Sequence, residues 1–277
     1  MRAPPSSRTK LLSGALVLGV AAGLLWWERR RPLRRRFEAA WRRDLRNLGV
    51  AVVGALALQL CERPLSDPLA AAVGRRRWGL LKQLRLPRWL ELPLAVALMD
   101  YTLYVWHVGL HRIPLLWRMH RAHHSDLELS ASTAFRLHFT ELALSGPWRA
   151  AQVLLLGVDR AGLEAWRTFT VLAILFHHSN LRLPAALERQ LVRVVVTPRM
   201  HGIHHSIVPD EVDANWSSGL SVWDRLHGTL RLDRPQRDEA LGLVDVRRPE
   251  EVRLREALLL PFNRQPPEAP VAPKGRC

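Results

Sequence analysis

The stretch Trp106–Asp126, WHVGLHRIPLLWRMHRAHHSD, holds five of the chain's 12 histidines, at positions 107, 111, 120, 123 and 124. On an α-helix, residues three and four apart share a face, so His107 and His111 can aim at one point, as can His120, His123 and His124. The tighter spacing returns in PRMHGIHHS as His201, His204 and His205. A given three-histidine spacing arises by chance about 0.02 times at this histidine content, so two copies point to a built metal site. His177 and His178 lie between the copies, at the end of an apolar run.

Nine histidines make up the compact groups: His107, His111, His120, His123, His124, His178, His201, His204 and His205. A zinc ion takes four ligands and other ions seldom more than six, so this set is too large for one ion and suits two. Imidazole accommodates zinc, iron, copper and nickel, which leaves the metal open. The two cysteines, Cys61 and Cys277, can form neither a disulfide framework nor a four-thiolate site, so ligation rests on nitrogen and oxygen.

The 277-residue chain carries a net charge of +16, which alone would permit nucleic acid as a partner. The placement of the charge argues for a membrane instead. The densest basic run, Glu28–Arg46, lies between the apolar stretches Leu11–Trp27 and Leu48–Cys61, where the positive-inside rule and anionic headgroups favour arginine. No zinc finger, recognition-helix or aromatic RNA-binding pattern competes with that reading.

Leu11–Trp27 is uncharged for 17 residues and lacks a small-residue cleavage site, so it reads as an uncleaved anchor. Leu48–Cys61, at 14 residues, is marginal for crossing a bilayer. Glu62–Arg88 reads as a charged, Pro-broken connector, either an interfacial helix or a solvated loop. Leu90–Trp106 runs straight into His107, which puts the first histidines at a membrane exit. Leu142–Val158 and Leu163–Phe176, flanking Asp159–Gly162, read as a helical hairpin that enters the membrane and returns, with Arg149, Glu164 and Arg167 as interruptions.

Residues 28–46 contain nine arginines, against seven basic residues in 62–89 and three in 1–10, which places 28–46 and the histidine clusters on the cytoplasmic side of a multi-pass protein. Three regions follow: a membrane anchor with basic loops over 1–89, a histidine-rich domain over 90–234, and a C-terminal extension over 235–277. The Pro-rich tail of the extension, 264–277, has a disordered composition.

The runs DYTLYVWHVGLHRIPLLWRMHRAHHSD, TAFRLHFTE, FHHSNLRLP and TPRMHGIHHS with NWSSGLSVWDRLHGT follow one another between Asp100 and Leu230. Together they resemble the fatty acid hydroxylase and sterol desaturase superfamily of membrane-bound diiron oxygenases. The resemblance implies a mainly α fold of integral membrane helical hairpins, a four-helix platform capped by a cytoplasmic histidine-rich helical domain that holds two iron ions. It implies His107 and His111 as one ligand pair, His120, His123 and His124 with His201, His204 and His205 as two triplets, and His178 as the intermediate ligand. Some members carry a further ligand four residues before that last position. Ile174 stands there in this chain, so any tenth ligand comes from His177 or His138. Phe139 follows His138 where the family often has proline.

The implied reaction is O₂-dependent hydroxylation or desaturation of an unactivated C–H bond in a lipid-type substrate, such as a fatty acid, sterol or carotenoid-like molecule. With no fused haem or flavin domain and no GxGxxG loop, electrons come from a separate donor, a ferredoxin or a small haem protein with its reductase. No catalytic residue beyond the metal ligands is expected. Asp100, Asp126, Glu141 and Asp224 are candidates for orienting imidazoles through their second nitrogen. Trp106, Trp117, Phe135 and Trp216 could line a substrate tunnel, although packing is the commoner role of such aromatics. The same ligands also suit a dinuclear zinc hydrolase, or a membrane metal-binding protein without catalysis.

Overall fold

The computed structural model describes residues 7–234 and 241–263, and the Pro-rich tail over 264–277 lies outside them. The described residues are mainly helical, with isolated β-bridges and no strand. Helix α1 (Ser7–Arg30) leaves Leu11, Leu12, Leu16 and Leu18 exposed, between 51% and 73%, so no protein covers most of its apolar surface. It is long and apolar enough to cross a membrane, and so is the helical run Ala40–Gln83.

That second run corrects the reading of a short 48–61 span followed by a connector. Helix α2 (Ala40–Ala57) passes through one π turn, Leu58–Glu62, into α3 (Arg63–Arg76), and the short helix α4 (Leu80–Gln83) follows. Pro64 falls in the first turn of α3, where a missing N–H costs little, and the wider π turn just before it relieves the crowding. The two acids of this stretch, Glu62 and Asp67, are paired. Arg167 reaches Glu62 at 3.1 Å and Asp67 at 2.7 Å, and Arg149 lies 3.9 Å from Glu62.

Helix α5 (Arg88–Arg112) carries His107 and His111 on the same continuous helix as the third apolar stretch, and Ile113, with an extended backbone, breaks it from α6 (Pro114–His124). Helices α7 (Phe139–Leu156) and α8 (Arg160–His178) are joined by a short turn in which Gly157 takes φ +76° and the Asp159 side chain accepts the Gly162 N–H at 3.0 Å. The two do not pair as a simple hairpin. Helix α7 packs chiefly on α3 and the π turn, and α8 chiefly on α5 and the short helical turn Ala131–Phe135. The apolar core where these layers meet includes Val73, Met99, Val153, Leu163 and Trp166. The charged interruptions Arg149 and Arg167 therefore face α3 and the π turn, and the acids there neutralise them.

Short helices follow: α9 (Ala185–Leu191), α10 (Pro198–His204), α11 (Pro209–Val212), α12 (Val222–Leu226) and α13 (Leu254–Leu259). Two segments outside the histidine region pack on it. Part of the basic run is structural rather than lipid-facing: Arg43 pairs with Glu128 at 2.6 Å and Arg46 with Asp126 at 3.4 Å, and Arg34 donates to the Pro198 carbonyl at 2.9 Å. The C-terminal residues Leu243, Val246, Val252 and Leu260 bury themselves against Ala122 of α6, with Trp117 beside them.

Breaking one of the buried pairs should be expensive. Arg167→Ala leaves the buried Glu62 with only the more distant Arg149 at 3.9 Å and is expected to cost about 3 kcal/mol, whereas Glu164→Ala, at the more exposed end of the same network, should change little. Unfolding in detergent followed by circular dichroism measures both; equal effects would mean that the Glu62–Arg167 pair does not secure the helices.

Candidate metal centre

Two groups of imidazoles meet at the ends of α5, α6, α8 and α10. His107, His111, His120, His124 and His204 form one, and His123, His178, His201 and His205 the other; within each, the potential ligand atoms lie within 4.8 Å of one another. All nine histidines expected from the sequence are present. Every ring is buried except that of His111, which is half-buried.

Local sequence explains the convergence. Thr197 caps α10, its side chain accepting the Met200 N–H at 3.4 Å, and Pro198 opens the first turn, so the helix phase places His201 and His204 on one face. Pro114 opens α6 in the same way. Helix α6 ends at His124, α8 at His178 and α10 at His204, while α5 ends one residue beyond His111. Four helix C-termini, the negative ends of their dipoles, thus gather where a cation would sit.

The hydrogen bonds decide what the rings can hold. His107 Nδ1 lies 2.7 Å from the Trp216 carbonyl, His204 Nδ1 2.9 Å from the Ala214 carbonyl, His178 Nδ1 2.8 Å from the Ile174 carbonyl, and His120 Nδ1 3.0 Å from a Glu141 carboxylate oxygen. These oxygens accept, so each Nδ1 carries a hydrogen and the Nε2 of each of these four rings is turned to the site. The Nε2 atoms face one another. His107 Nε2 stands 3.2 Å from His120 Nε2 and 3.1 Å from His204 Nε2. In the second group, His178 Nε2 lies 3.0 Å from the Nε2 atoms of His123 and His201, and His201 Nε2 lies 3.1 Å from that of His205.

A cation placed among these nitrogens would be held by the lone pairs that face it. With metal–imidazole bonds of about 2.0–2.1 Å, neighbouring donors on one ion stand roughly 3 Å apart, the spacing seen here. His111 Nε2 and both nitrogens of His124 are buried without partners, as a ligand set requires. Burial, with neighbouring imidazoles adding to it, holds His123, His124, His201 and His205 well below the ordinary imidazole range, and burial pushes His204 down to about 3. The rings are therefore kept in the neutral form that binds metal.

The two further candidates lie outside both groups. His138 has both nitrogens engaged: Nδ1 accepts the Thr140 N–H at 3.2 Å at the start of α7, and Nε2 donates to the Leu258 carbonyl at 3.1 Å. His177 is buried, with its ring centroid 4.0 Å from that of His201 and its Nδ1 unpartnered.

Of the four carboxylates considered as orienting groups, only Glu141 touches a histidine of the two groups. Asp224 acts one step removed, accepting the Trp216 and Ser217 N–H groups at 2.9 Å each and so fixing the carbonyl that holds His107. Asp100 accepts the Leu220 N–H at 2.9 Å and Trp223 Nε1–H at 2.8 Å, tying that loop to α5. Gly219 is required beside it, since a Cβ there would fall 2.4 Å from Asp100 Oδ1. Asp126 meets Arg46, Asn47 and Thr133 and no histidine.

Sequence reasoning missed the carbonyl holders. Asn215, at φ +55°, shapes the loop that presents Ala214 and Trp216, and its side chain donates to the Met200 and Arg231 carbonyls at 3.0 and 2.8 Å. Its signal was the Asn-Trp pair itself, since Asn is among the few residues that tolerate the left-handed region. Among the aromatics, Trp117 lies 4.9 Å from His111 and Trp216 6.4 Å from it, ring to ring, whereas Trp106 stacks on Trp148 and Phe135 packs in the Leu24–Leu175 cluster.

The fatty acid hydroxylase family profile matches residues 92–229, the span that carries these groups. The chain belongs to the fatty acid hydroxylase family. It is 29% identical over 144 residues to the ornithine lipid hydroxylase of Rhizobium tropici, covering 52% of this chain and 43% of that protein. It is 25% identical over 165 residues to the alkylglycerol monooxygenase of Xenopus tropicalis, covering 58% of this chain and 35% of that one. With human cholesterol 25-hydroxylase it shares 26% identity over 139 residues, 49% of each protein. The match thus spans less than half the length of these curated relatives. No solved structure matches the chain.

Two outcomes check the site. Glu141→Gln, which keeps the shape and removes the charge behind His120, is expected to weaken metal binding about 10–100-fold, read by competition with a chromogenic chelator; unchanged affinity would remove Glu141 from the ligand support. In the metal-free protein the neutral rings of His124, His201 and His205 gain protons only on unfolding, so below their ordinary value of about 6.5 the unfolded state binds more protons and stability falls with pH. The melting midpoint of the metal-free form should therefore drop between about pH 7.5 and about pH 5.5, and a flat profile would contradict buried neutral imidazoles.

Proposed function

We propose that this protein is a membrane-bound oxygenase that hydroxylates an unactivated C–H bond of a lipid, with two iron ions held by the two histidine groups. The observation that carries the reading is the pair of adjacent groups, five imidazoles and four, whose ring nitrogens converge within 4.8 Å of one another. His107, His111, His120, His124 and His204 would hold one ion, and His123, His178, His201 and His205 the other. The ions supply O₂ activation and oxidising power, with two electrons delivered by a separate donor, a ferredoxin or a small haem protein with its reductase.

The protein's own part is positional. Glu141 and the carbonyls of Trp216, Ala214 and Ile174 hold four rings in the metal-binding tautomer. Trp117 packs beside His111 and His124, shielding that side of the first group from water. The ligand helices α5 and α8 carry apolar stretches broken by Asp100, Glu164 and Arg167 and reach the site at their C-terminal ends, so a lipid held among them would present a carbon to the two histidine groups. The curated relatives are named as hydroxylases and monooxygenases of lipid-type molecules, which favours hydroxylation over desaturation here. The arginine count over 28–46 supports a cytoplasmic site.

The test is comparative lipid mass spectrometry of cells expressing the wild type or His124→Ala, together with metal analysis of both proteins. The wild type should carry two irons per chain and yield a lipid heavier by one oxygen, with His120→Ala, His124→Ala and His205→Ala losing the product and part of the iron. Two zincs per chain with turnover independent of O₂ would instead establish a dinuclear hydrolase.

A further inference from the structure

Away from the metal centre, Arg30, Arg31 and Arg182 line one open cavity of about 490 Å³, together with Pro32, Leu183 and Pro184. Their spacing is set by backbone. Arg182 N–H donates to the Arg31 carbonyl and Leu33 N–H to the Asn180 carbonyl, both at 2.8 Å, while the Asn180 side chain grips Arg34 N–H at 2.8 Å and its carbonyl at 3.0 Å. Three cations are thus held together on a fixed frame.

Neighbours in the basic run are paired with acids of the chain: Arg29 with Asp44 at 3.0 Å at the surface, and the buried Arg43 with Glu128 and Arg46 with Asp126. No carboxylate pairs with Arg30, Arg31 or Arg182 among the described residues. The nearest acid in sequence, Glu28, is buried and turned inward, accepting the Asn180 and Ala131 N–H groups at 2.8 and 3.0 Å. The cavity also sits at the foot of the lipid-exposed helix α1. Trp26 and Trp27 are 59% and 48% exposed there, and Arg30 lies over the Trp26 ring at 5.1 Å, an arrangement suited to the headgroup layer.

We propose that this cavity binds the phosphate of an anionic phospholipid headgroup. Guanidinium forks match phosphate oxygens, an anion relieves the repulsion among three fixed cations, and the volume suits a small polar ligand. A phospholipid anchored in the bilayer beside α1 carries its phosphate at the depth of Trp26 and Arg30. The bound lipid ties the foot of α1 to the segment that follows His178, and the site is independent of the metal chemistry.

Native mass spectrometry of the full chain released from detergent tests this, with phosphatidylglycerol, phosphatidylcholine and inorganic phosphate as probes. One phosphatidylglycerol should be retained and phosphatidylcholine should not. R30Q/R31Q/R182Q should weaken that binding about a hundredfold, while R75Q/R85Q/R193Q, which removes the same charge elsewhere, should keep it. Equal losses in the two variants would show a diffuse charge effect and overturn the site. Displacement of the lipid by inorganic phosphate would assign the cavity to a soluble phosphate compound and overturn the lipid assignment. Metal content reports whether the triple variant is folded; if it is not, R182Q alone, measured in the same way, decides between a specific site and a diffuse charge effect.

Discussion

Imidazole nitrogens gather at 3.0–3.2 Å in two buried groups, four of the rings turning an Nδ1 hydrogen outward, and the remainder of the fold serves to hold them in place. A helix C-terminus offers a cation about 0.3–1 kcal/mol, so even four of them are a minor contribution beside ligation on the order of 10 kcal/mol. The dominant work is therefore orientation. It is done by three backbone carbonyls and one carboxylate, each of which leaves a single tautomer available to its ring.

Those holders must themselves be held. Asp224 and Asn215 stiffen the loop that offers Ala214 and Trp216, and Asp100 pins the same loop to α5, the helix that carries His107. A shift in that loop would turn two carbonyls away from two ligands at once. Behind α6, the residues 241–263 supply an apolar backing and the 28–47 segment a set of ion pairs, so the histidine helices are braced by both sequence flanks.

Charged residues inside the apolar helices follow the same rule of pairing. Glu62, Arg149 and Arg167 each lie on a different helical element, and burying any one alone would cost several kcal/mol. Brought together they close a network that joins the π turn to α7 and α8, and this lets a charged, proline-containing stretch run on as helix where its composition suggests a loop.

The clustering of the histidines was legible in the sequence because it is a matter of spacing along one helix: His120, His123 and His124, then His201, His204 and His205, lie within one turn of each other by the 3.6-residue period. The apolar character of α1 and the continuity of the third apolar stretch into His107 were local as well. What no local pattern contains is which groups meet. The sorting of nine histidines into five and four, the exclusion of His138 and His177 from both groups, and the choice of Glu141 over Asp126 as a direct partner depend on contacts between residues far apart in the chain. The same holds for α7 and α8, which turn back on each other in sequence yet pack on different neighbours. Tertiary structure decided these points because burial makes an unpaired charge or lone pair costly, and its partner is supplied by whichever element the packing brings within reach.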